Sequence, residues 1–243
     1  ESMLAAPERR AASPRAAWVV HGLTASGAFL GLLALQCIWT GDYRTSFLWM
    51  LAATLVDAVD GFLARFFAVA EALPHIDGRR LDDIVDYLTY VLVPTALFLH
   101  AGMLVWPTLA ALPLIASGLG FSNCQAKTDD DYFLGFPSYW NIVALYLWLY
   151  ALPPGHSSLI VATLSVLVLV PIRYLYPTRT PWARRFTLAF SLLWAAQLLG
   201  LLLFDLPRWC LHASLAFPLY YLGASIYLNL RRRSAPCELS SPC

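Results

Sequence analysis

Long apolar segments alternate with short polar ones along most of this 243-residue chain. Because a helix needs about 20 apolar residues to cross roughly 30 Å of hydrocarbon, the pattern predicts eight membrane-spanning helices. Their bounds lie near 17–39, 45–67, 82–104, 105–124, 138–153, 157–176, 186–204 and 208–230. We therefore expect an all-α polytopic transmembrane bundle over 17–230, between a polar segment, 1–16, and a polar tail, 231–243. An even number of spans puts both termini on one side of the membrane.

The composition supports a membrane protein and excludes several other classes. Hydrophobic residues make up 59% of the chain and charged residues only 13%, against about 25% charged residues in an average soluble domain. The formal net charge of +1 does not suggest a nucleic-acid partner. The five cysteines contain no Cys-x-x-Cys pair, so neither a disulfide framework nor a zinc site is indicated.

The basic residues predict the orientation of the spans. With the N-terminus in the cytoplasm, fourteen of the sixteen lie on the inner side, and only Arg44 and Arg208 lie outside. This asymmetry follows the positive-inside rule and supports the count of eight. The inner residues are Arg9, Arg10, Arg15, Arg65, Arg79, Arg80, Lys127, Arg173, Arg179, Arg184, Arg185, Arg231, Arg232 and Arg233.

Four aspartates form the main candidate site. Asp57 and Asp60 lie within the second predicted span, and Asp82 and Asp86 open the third. Each pair has a spacing of three or four residues and shares one helix face. Because the polar loop between the spans makes the helices antiparallel, the two pairs should face each other at one depth. Four facing carboxylates cannot all be ionised without a cation, and an oxygen-only set suits Mg²⁺ or Mn²⁺. The number of acids suggests two metal ions.

Two other interpretations of these acids are open. They could cap helices or pair with Arg65, Arg79 and Arg80, which is the favoured interpretation for the neighbouring Asp77 and Asp83. They could also belong to a cation transporter, but a transport path would distribute acids through the membrane instead of concentrating them at one depth.

The residues around the aspartates carry a specific motif. They read Asp-Ala-Val-Asp-Gly-Phe-Leu-Ala-Arg over 57–65, and Gly-Arg-Arg-Leu-Asp-Asp-Ile-Val-Asp over 78–86. This resembles the signature of the CDP-alcohol phosphotransferase family, D-x2-D-G-x2-A-R followed by G-x3-D-x3-D, and all eight fixed positions match. The family joins a CDP-linked group to an alcohol and releases CMP.

The resemblance implies a role for each motif residue. Asp57, Asp60, Asp82 and Asp86 would hold two divalent cations, Mn²⁺ or Mg²⁺, and Asp86 would also be the general base. The CDP pocket would be formed by Asp57, Gly61, Ala64, Arg65, Gly78 and Asp82. Elementary chemistry agrees, since a glycine allows close approach to the backbone and an arginine can bind phosphate with two hydrogen bonds.

Three further features narrow the acceptor alcohol. The spacer between the motif halves has twelve residues, 66–77, where many family members have eight. This spacer, the segment Phe-Leu-Gly-Phe-Pro-Ser-Tyr-Trp-Asn over 133–141, and Pro-Ile-Arg-Tyr-Leu-Tyr-Pro over 171–177 resemble bacterial members that condense CDP-diacylglycerol with choline. Within the family, serine, glycerol phosphate or inositol phosphate remain alternative acceptors, as does transfer from CDP-choline to diacylglycerol.

A choline site should be aromatic, because a quaternary ammonium has no proton to donate and binds to ring faces. The candidates are Tyr139, Trp140 and Asn141 at the start of the fifth span, and Tyr87 and Tyr90 after Asp86. Arg173 is the candidate for the lipid phosphate. By resemblance we also expect a homodimer in the bacterial inner membrane, with an active site that faces the cytoplasm.

Overall fold

The structure is a computed structural model that describes residues 13–123, 132–175 and 183–233. The described residues are mainly helical, and three helices are long and apolar enough to cross a membrane: Pro14–Trp39, Tyr43–Phe66 and Arg185–Leu203. The chain is therefore a helical membrane protein. The described part does not include residues 1–12, 124–131, 176–182 and 234–243. The inner-loop residue Lys127 therefore lies outside it.

The described elements occur in the following order. They are α1 (Pro14–Trp39), α2 (Tyr43–Phe66), α3 (Val69–Ala72), α4 (Gly78–Asp86), a π-helical turn (Tyr87–Leu92), α5 (Val93–His100), a 3-10 turn (Pro107–Ala110), α6 (Ala111–Ser122), β1 (Tyr132–Leu134), α7 (Trp140–Leu149), α8 (Pro154–Leu169), β2 (Arg173–Leu175), α9 (Arg184–Leu203), α10 (Arg208–Ser214) and α11 (Ala216–Arg233).

Each of the eight predicted segments contains helix, but the helices differ in length from the prediction. Three shorter apolar helices, Pro107–Ser122, Trp140–Leu149 and Pro154–Leu169, lie in the fourth, fifth and sixth segments. The eighth segment is split after Ser214. Pro218 explains this break, because proline has no N–H and its ring clashes with the carbonyl four residues earlier. The number of spans stays a prediction.

The chain forms two compact units. The first comprises Glu1–Ala110 with Tyr139–Ser157, and it contains the whole motif. The second comprises Ala111–Ser138 with Ser158–Cys243. In the second unit, β1 and β2 pair antiparallel, with Leu134 opposite Arg173. This small sheet joins the two segments that resembled choline-using enzymes, and a pairing between them was not predicted.

Polar caps fix where the helices of the first unit begin. The Ala16 N–H donates to Ser13 Oγ at 3.3 Å and starts α1. The Thr45 N–H donates to Asp42 Oδ1 at 3.1 Å, and hydrogen bonds from Thr45 lower the pKa of this carboxyl below its ordinary value. Asp77 caps α4 by accepting from the Arg80 N–H at 3.1 Å. These bonds satisfy backbone donors that a helix leaves unpaired, and the capping role expected for Asp77 is confirmed.

Glycines let α1 pack closely against the third predicted span. A Cβ at Gly27 would lie 2.7 Å from Val85 Cγ1, and one at Gly31 would lie 3.4 Å from Thr89 Cγ2. Small residues at helix contacts are the usual means of close packing in membranes, where there is little hydrophobic drive between helices. This contact holds α4 and the π-helical turn in place beside α1.

We expect Gly27→Ala to lower the melting temperature of the purified protein in detergent by several degrees, because the added methyl must displace the stiff Val85 side chain and overpacking costs about 1–3 kcal/mol. Gly22→Ala is the matched control, since nothing lies within 4 Å of its Cβ position on the same helix. Equal melting temperatures for the two variants would contradict this account of the helix contact.

Candidate active site

Three of the four predicted metal ligands lie together. Asp57 on α2 and Asp82 and Asp86 on α4 each offer one carboxylate oxygen, and these three atoms lie within 4.8 Å of one another. All three side chains are half-buried. The set contains only hard oxygen donors, the chemistry that Mg²⁺ and Mn²⁺ prefer. The cluster, which we call the carboxylate cluster, therefore fits a divalent metal.

Asp60 lies next to the carboxylate cluster but is not one of its three members. Its side chain is only 3% exposed. Its carboxyl interacts with Asp82, with the Thr24 hydroxyl on α1 and with Arg65. Asp60 therefore faces the same region, and its predicted role as a fourth ligand stays a prediction.

The remaining motif residues surround this region. The guanidinium of Arg65 lies over Gly61, where an added Cβ would be 3.3 Å from Arg65 Nη1. Gly78 begins α4, and a Cβ there would lie 2.9 Å from His21 Cε1 on α1. Ala64 packs against the cluster of Ala17, Val20, Val69 and Leu73 between α1 and α3. The small motif residues thus let α1 and the arginine approach α2 and α4.

Two polar residues of α1 belong to this site although they lie outside the motif. Thr24 interacts with Asp60. His21 is only 7% exposed, and its Nε2 has no hydrogen-bond partner among the described residues. The sequence signal for both was a polar side chain within an apolar segment, at a spacing of three residues that places them on one helix face.

The tyrosines predicted to bind choline lie at the edge of the carboxylate cluster. The Tyr90 hydroxyl donates a hydrogen bond to Asp57 Oδ2 at 2.9 Å. The rings of Tyr90 and Tyr139 are 6.1 Å apart and tilted by 58°. Tyr87 follows Asp86 directly and is half-buried. The structure therefore brings Tyr139 and Tyr90 together, and Tyr90 contacts the predicted metal ligand Asp57.

Trp140 and Asn141 have contacts that explain them as packing residues. Trp140 is 0% exposed, and its ring contacts Phe98 edge-on at 6.5 Å. The Asn141 side-chain amide donates to Thr54 Oγ1 at 3.1 Å. Both side chains therefore have partners within the first unit. Their role in choline binding stays a prediction, and these contacts do not support it.

Arg173 lies in the second unit. It is half-buried on β2, and Asn229 on α11 holds its backbone. The Arg173 N–H donates to Asn229 Oδ1 at 3.3 Å, and Asn229 Nδ2 donates to the Arg173 carbonyl at 2.6 Å. The strand that carries the arginine is therefore fixed to α11. Its predicted contact with lipid phosphate stays a prediction.

Comparison with known proteins identifies the family. No protein-family model matches the chain. The chain is 43% identical over 170 residues to a phosphatidylcholine synthase of Legionella pneumophila, an alignment that covers 68% of this chain and 66% of that protein. It is 37% identical over 223 residues to a phosphatidylcholine synthase of Pseudomonas aeruginosa, covering 88% and 92%. A phosphatidylcholine synthase of Rhizobium meliloti is 35% identical over 219 residues, covering 88% and 91%.

These relatives and the aspartate motif, three of whose carboxylates the structure brings together, identify the chain as a CDP-alcohol phosphotransferase. Within this class, the chain belongs to the phosphatidylcholine synthase family, since relatives above 30% identity match nearly the whole length of both chains. The resemblance inferred from the motif is confirmed.

We expect Trp140→Ala to destabilise the protein by about 3–5 kcal/mol, the usual cost of truncating a buried aromatic side chain. Trp106→Ala is the control, because Trp106 is 65% exposed. Thermal unfolding in detergent measures both. An unchanged melting temperature for Trp140→Ala, together with a raised KM for choline, would contradict the packing role and support the choline role.

Proposed function

We propose that this chain makes phosphatidylcholine by transferring the phosphatidyl group of CDP-diacylglycerol to choline, with release of CMP. The observation that carries the proposal is the carboxylate cluster of Asp57, Asp82 and Asp86, three motif aspartates from two different helices within 4.8 Å. The family membership supports the substrates. The cluster supplies what the reaction needs, which is a metal site for a pyrophosphate and a carboxylate beside it.

In this proposal Asp57, Asp60, Asp82 and Asp86 hold two divalent cations, Mn²⁺ or Mg²⁺. A cation held there would neutralise the charge of the pyrophosphate and of the departing CMP. Arg65 binds a phosphate oxygen, and Gly61 leaves room for the nucleotide beside α2. Gly78, with His21 packed against it, and Ala64 bound the rest of the CDP pocket.

Asp86 acts as the general base. It takes the proton of the choline hydroxyl, whose oxygen attacks the phosphorus that carries the diacylglycerol group. The new P–O bond forms as the bond between that phosphorus and the CMP phosphate oxygen breaks. CMP departs with one more negative charge than its phosphate carried in the donor, and the proton taken from choline balances this charge, so no redox partner or further reactant is needed.

Choline binds against the Tyr139 and Tyr90 rings. Their tilted arrangement, 6.1 Å apart beside the carboxylate cluster, presents ring surface near the base, and a cation over a ring gains about 0.5–2 kcal/mol. Tyr87 adds a third ring next to Asp86. Arg173 contacts the lipid phosphate.

The proposal extends to membrane topology. The chain crosses the bacterial inner membrane eight times over 17–230, keeps both termini in the cytoplasm, works as a homodimer and opens its site to the cytoplasm. The distribution of basic residues, fourteen against two, supports this orientation.

We expect Asp86→Asn to lower turnover by about 100-fold to 10,000-fold, because the amide cannot take the proton. The assay supplies radiolabelled choline, CDP-diacylglycerol and Mn²⁺ to the purified protein and measures labelled lipid. Asp83→Asn is the matched control, since Asp83 is the adjacent half-buried carboxylate outside the carboxylate cluster. Wild-type turnover by Asp86→Asn at saturating metal would contradict the base assignment.

The same assay tests the substrates. Labelled serine, glycerol phosphate and inositol phosphate replace choline in parallel reactions, and CDP-choline with diacylglycerol replaces the donor and acceptor. Lipid product with one of these and none with choline would contradict the proposed reaction.

We expect Tyr139→Ala to raise the KM for choline about tenfold, which corresponds to about 1.4 kcal/mol of lost binding, and to leave the KM for CDP-diacylglycerol nearly unchanged. Tyr139→Phe keeps the ring and is the conservative control. If Tyr139→Ala leaves the choline KM at the wild-type value, choline binds elsewhere.

A further inference from the structure

Behind the carboxylate cluster, a hydrogen bond connects Asp57 to the π-helical turn, and the hydrogen-bonded pair of Thr54 and Asn141 lies next to it. Tyr90, on the π-helical turn, is only 8% exposed, and its hydroxyl donates to Asp57 Oδ2 at 2.9 Å. The proton of this phenol is therefore directed at one of the metal-site carboxylates.

Thr54 and Asn141 form a hydrogen-bonded pair close to Tyr90. Thr54 lies one turn before Asp57 on α2 and beside the Tyr90 phenol. Its hydroxyl donates to the Met50 carbonyl at 3.0 Å and accepts from Asn141 Nδ2 at 3.1 Å. Asn141 Oδ1 in turn accepts from the Ile142 N–H at 2.9 Å. Both side chains are thereby fixed by backbone groups of their own helices.

The π-helical turn explains how Tyr90 reaches Asp57. The wide turn spans Tyr87–Leu92 and directly follows Asp86. Pro94 lacks an N–H, and in a regular α-helix its ring would clash with the carbonyl of Tyr90, four residues earlier. Widening the helix relieves this clash, and Thr89 Oγ1 donates to the Val85 carbonyl at 3.0 Å. Such turns occur often at functional sites.

We propose that Tyr90 is a positioning residue for the metal site. It holds Asp57 Oδ2 so that the other carboxylate oxygen of Asp57 faces Asp82 and Asp86, and Thr54, fixed by the hydrogen bond from Asn141, lies beside the Tyr90 phenol. This inference rests on the proposed function, because it assumes that the carboxylate cluster binds the divalent metal. Hydrogen-bond partners of this kind orient metal ligands, and their loss lowers metal affinity about 10-fold to 100-fold.

The test separates the hydroxyl of Tyr90 from its ring. Tyr90→Phe keeps the aromatic surface and removes only the hydrogen bond to Asp57. Mn²⁺ binding to the full-length purified protein is measured directly, by the loss of the free-ion signal in electron paramagnetic resonance. We expect Tyr90→Phe to bind Mn²⁺ about 10-fold to 100-fold more weakly, with the wild-type KM for choline once Mn²⁺ is saturating.

Two sets of variants act as controls. Tyr43→Phe also removes a phenol hydroxyl that hydrogen-bonds, between Tyr43 and His100 Nδ1 at 3.0 Å, but Tyr43 lies fourteen residues from Asp57 on α2, about 21 Å away. We expect Tyr43→Phe to bind Mn²⁺ like the wild type. Thr54→Val should weaken Mn²⁺ binding, and Thr54→Ser, which keeps the hydroxyl, should restore it.

The outcomes distinguish this proposal from the proposed function. Wild-type Mn²⁺ affinity in Tyr90→Phe, with binding lost in Asp57→Ala, overturns the positioning role and leaves the metal site intact. A raised choline KM in Tyr90→Phe without any change in Mn²⁺ binding also overturns the positioning role. That result would mean that the Tyr90 hydroxyl binds choline. Wild-type Mn²⁺ binding in Asp57→Ala overturns the metal site itself.

Discussion

Mutual repulsion among Asp57, Asp82 and Asp86 is the constraint on which the first unit depends. At the 4.8 Å within which their oxygens lie, two full charges repel by about 3 kcal/mol at an effective dielectric constant of about 20. Little water is present between apolar helices to screen that repulsion. A divalent cation offsets it directly, but the backbone must first hold the three carboxylates together. The rest of the unit can be understood as the means of doing so.

Close helix contacts provide that rigidity. Gly27 brings α1 against Val85, one residue before Asp86, and Gly78 lets α4 begin directly against His21. Gly61 leaves the space over which the Arg65 guanidinium lies, so a positive charge remains next to the acids. The glycines of this region therefore have different functions. Those of α1 bring helices together, whereas Gly61 keeps room for a charged group and, in the proposed reaction, for the nucleotide.

The sequence could predict which carboxylates meet but not which way each aromatic side chain points, for a physical reason. A spacing of three or four residues fixes which residues share a helix face, so Asp57, Asp82 and Asp86 could be placed together before any coordinates. The direction in which Trp140 points depends on packing against Phe98 from another helix, which no local pattern encodes. The register of Tyr90 depends on a widened turn before Pro94, and this shift cannot be read from regular helical periodicity.

Asn141 shows why a polar residue in an apolar segment can be functional without touching a substrate. A polar side chain within a membrane helix is costly unless it is hydrogen-bonded, so its presence alone indicates a role. Asn141 was predicted to bind choline because it ends the segment over 133–141, and that role stays a prediction. Its amide donates to Thr54 Oγ1, and Thr54 lies beside the Tyr90 phenol that donates to Asp57 Oδ2. Since water is scarce between helices in a membrane, polar groups satisfy one another. In the proposed positioning role, Asn141 therefore acts on the metal site only through Thr54, the side chain that it holds.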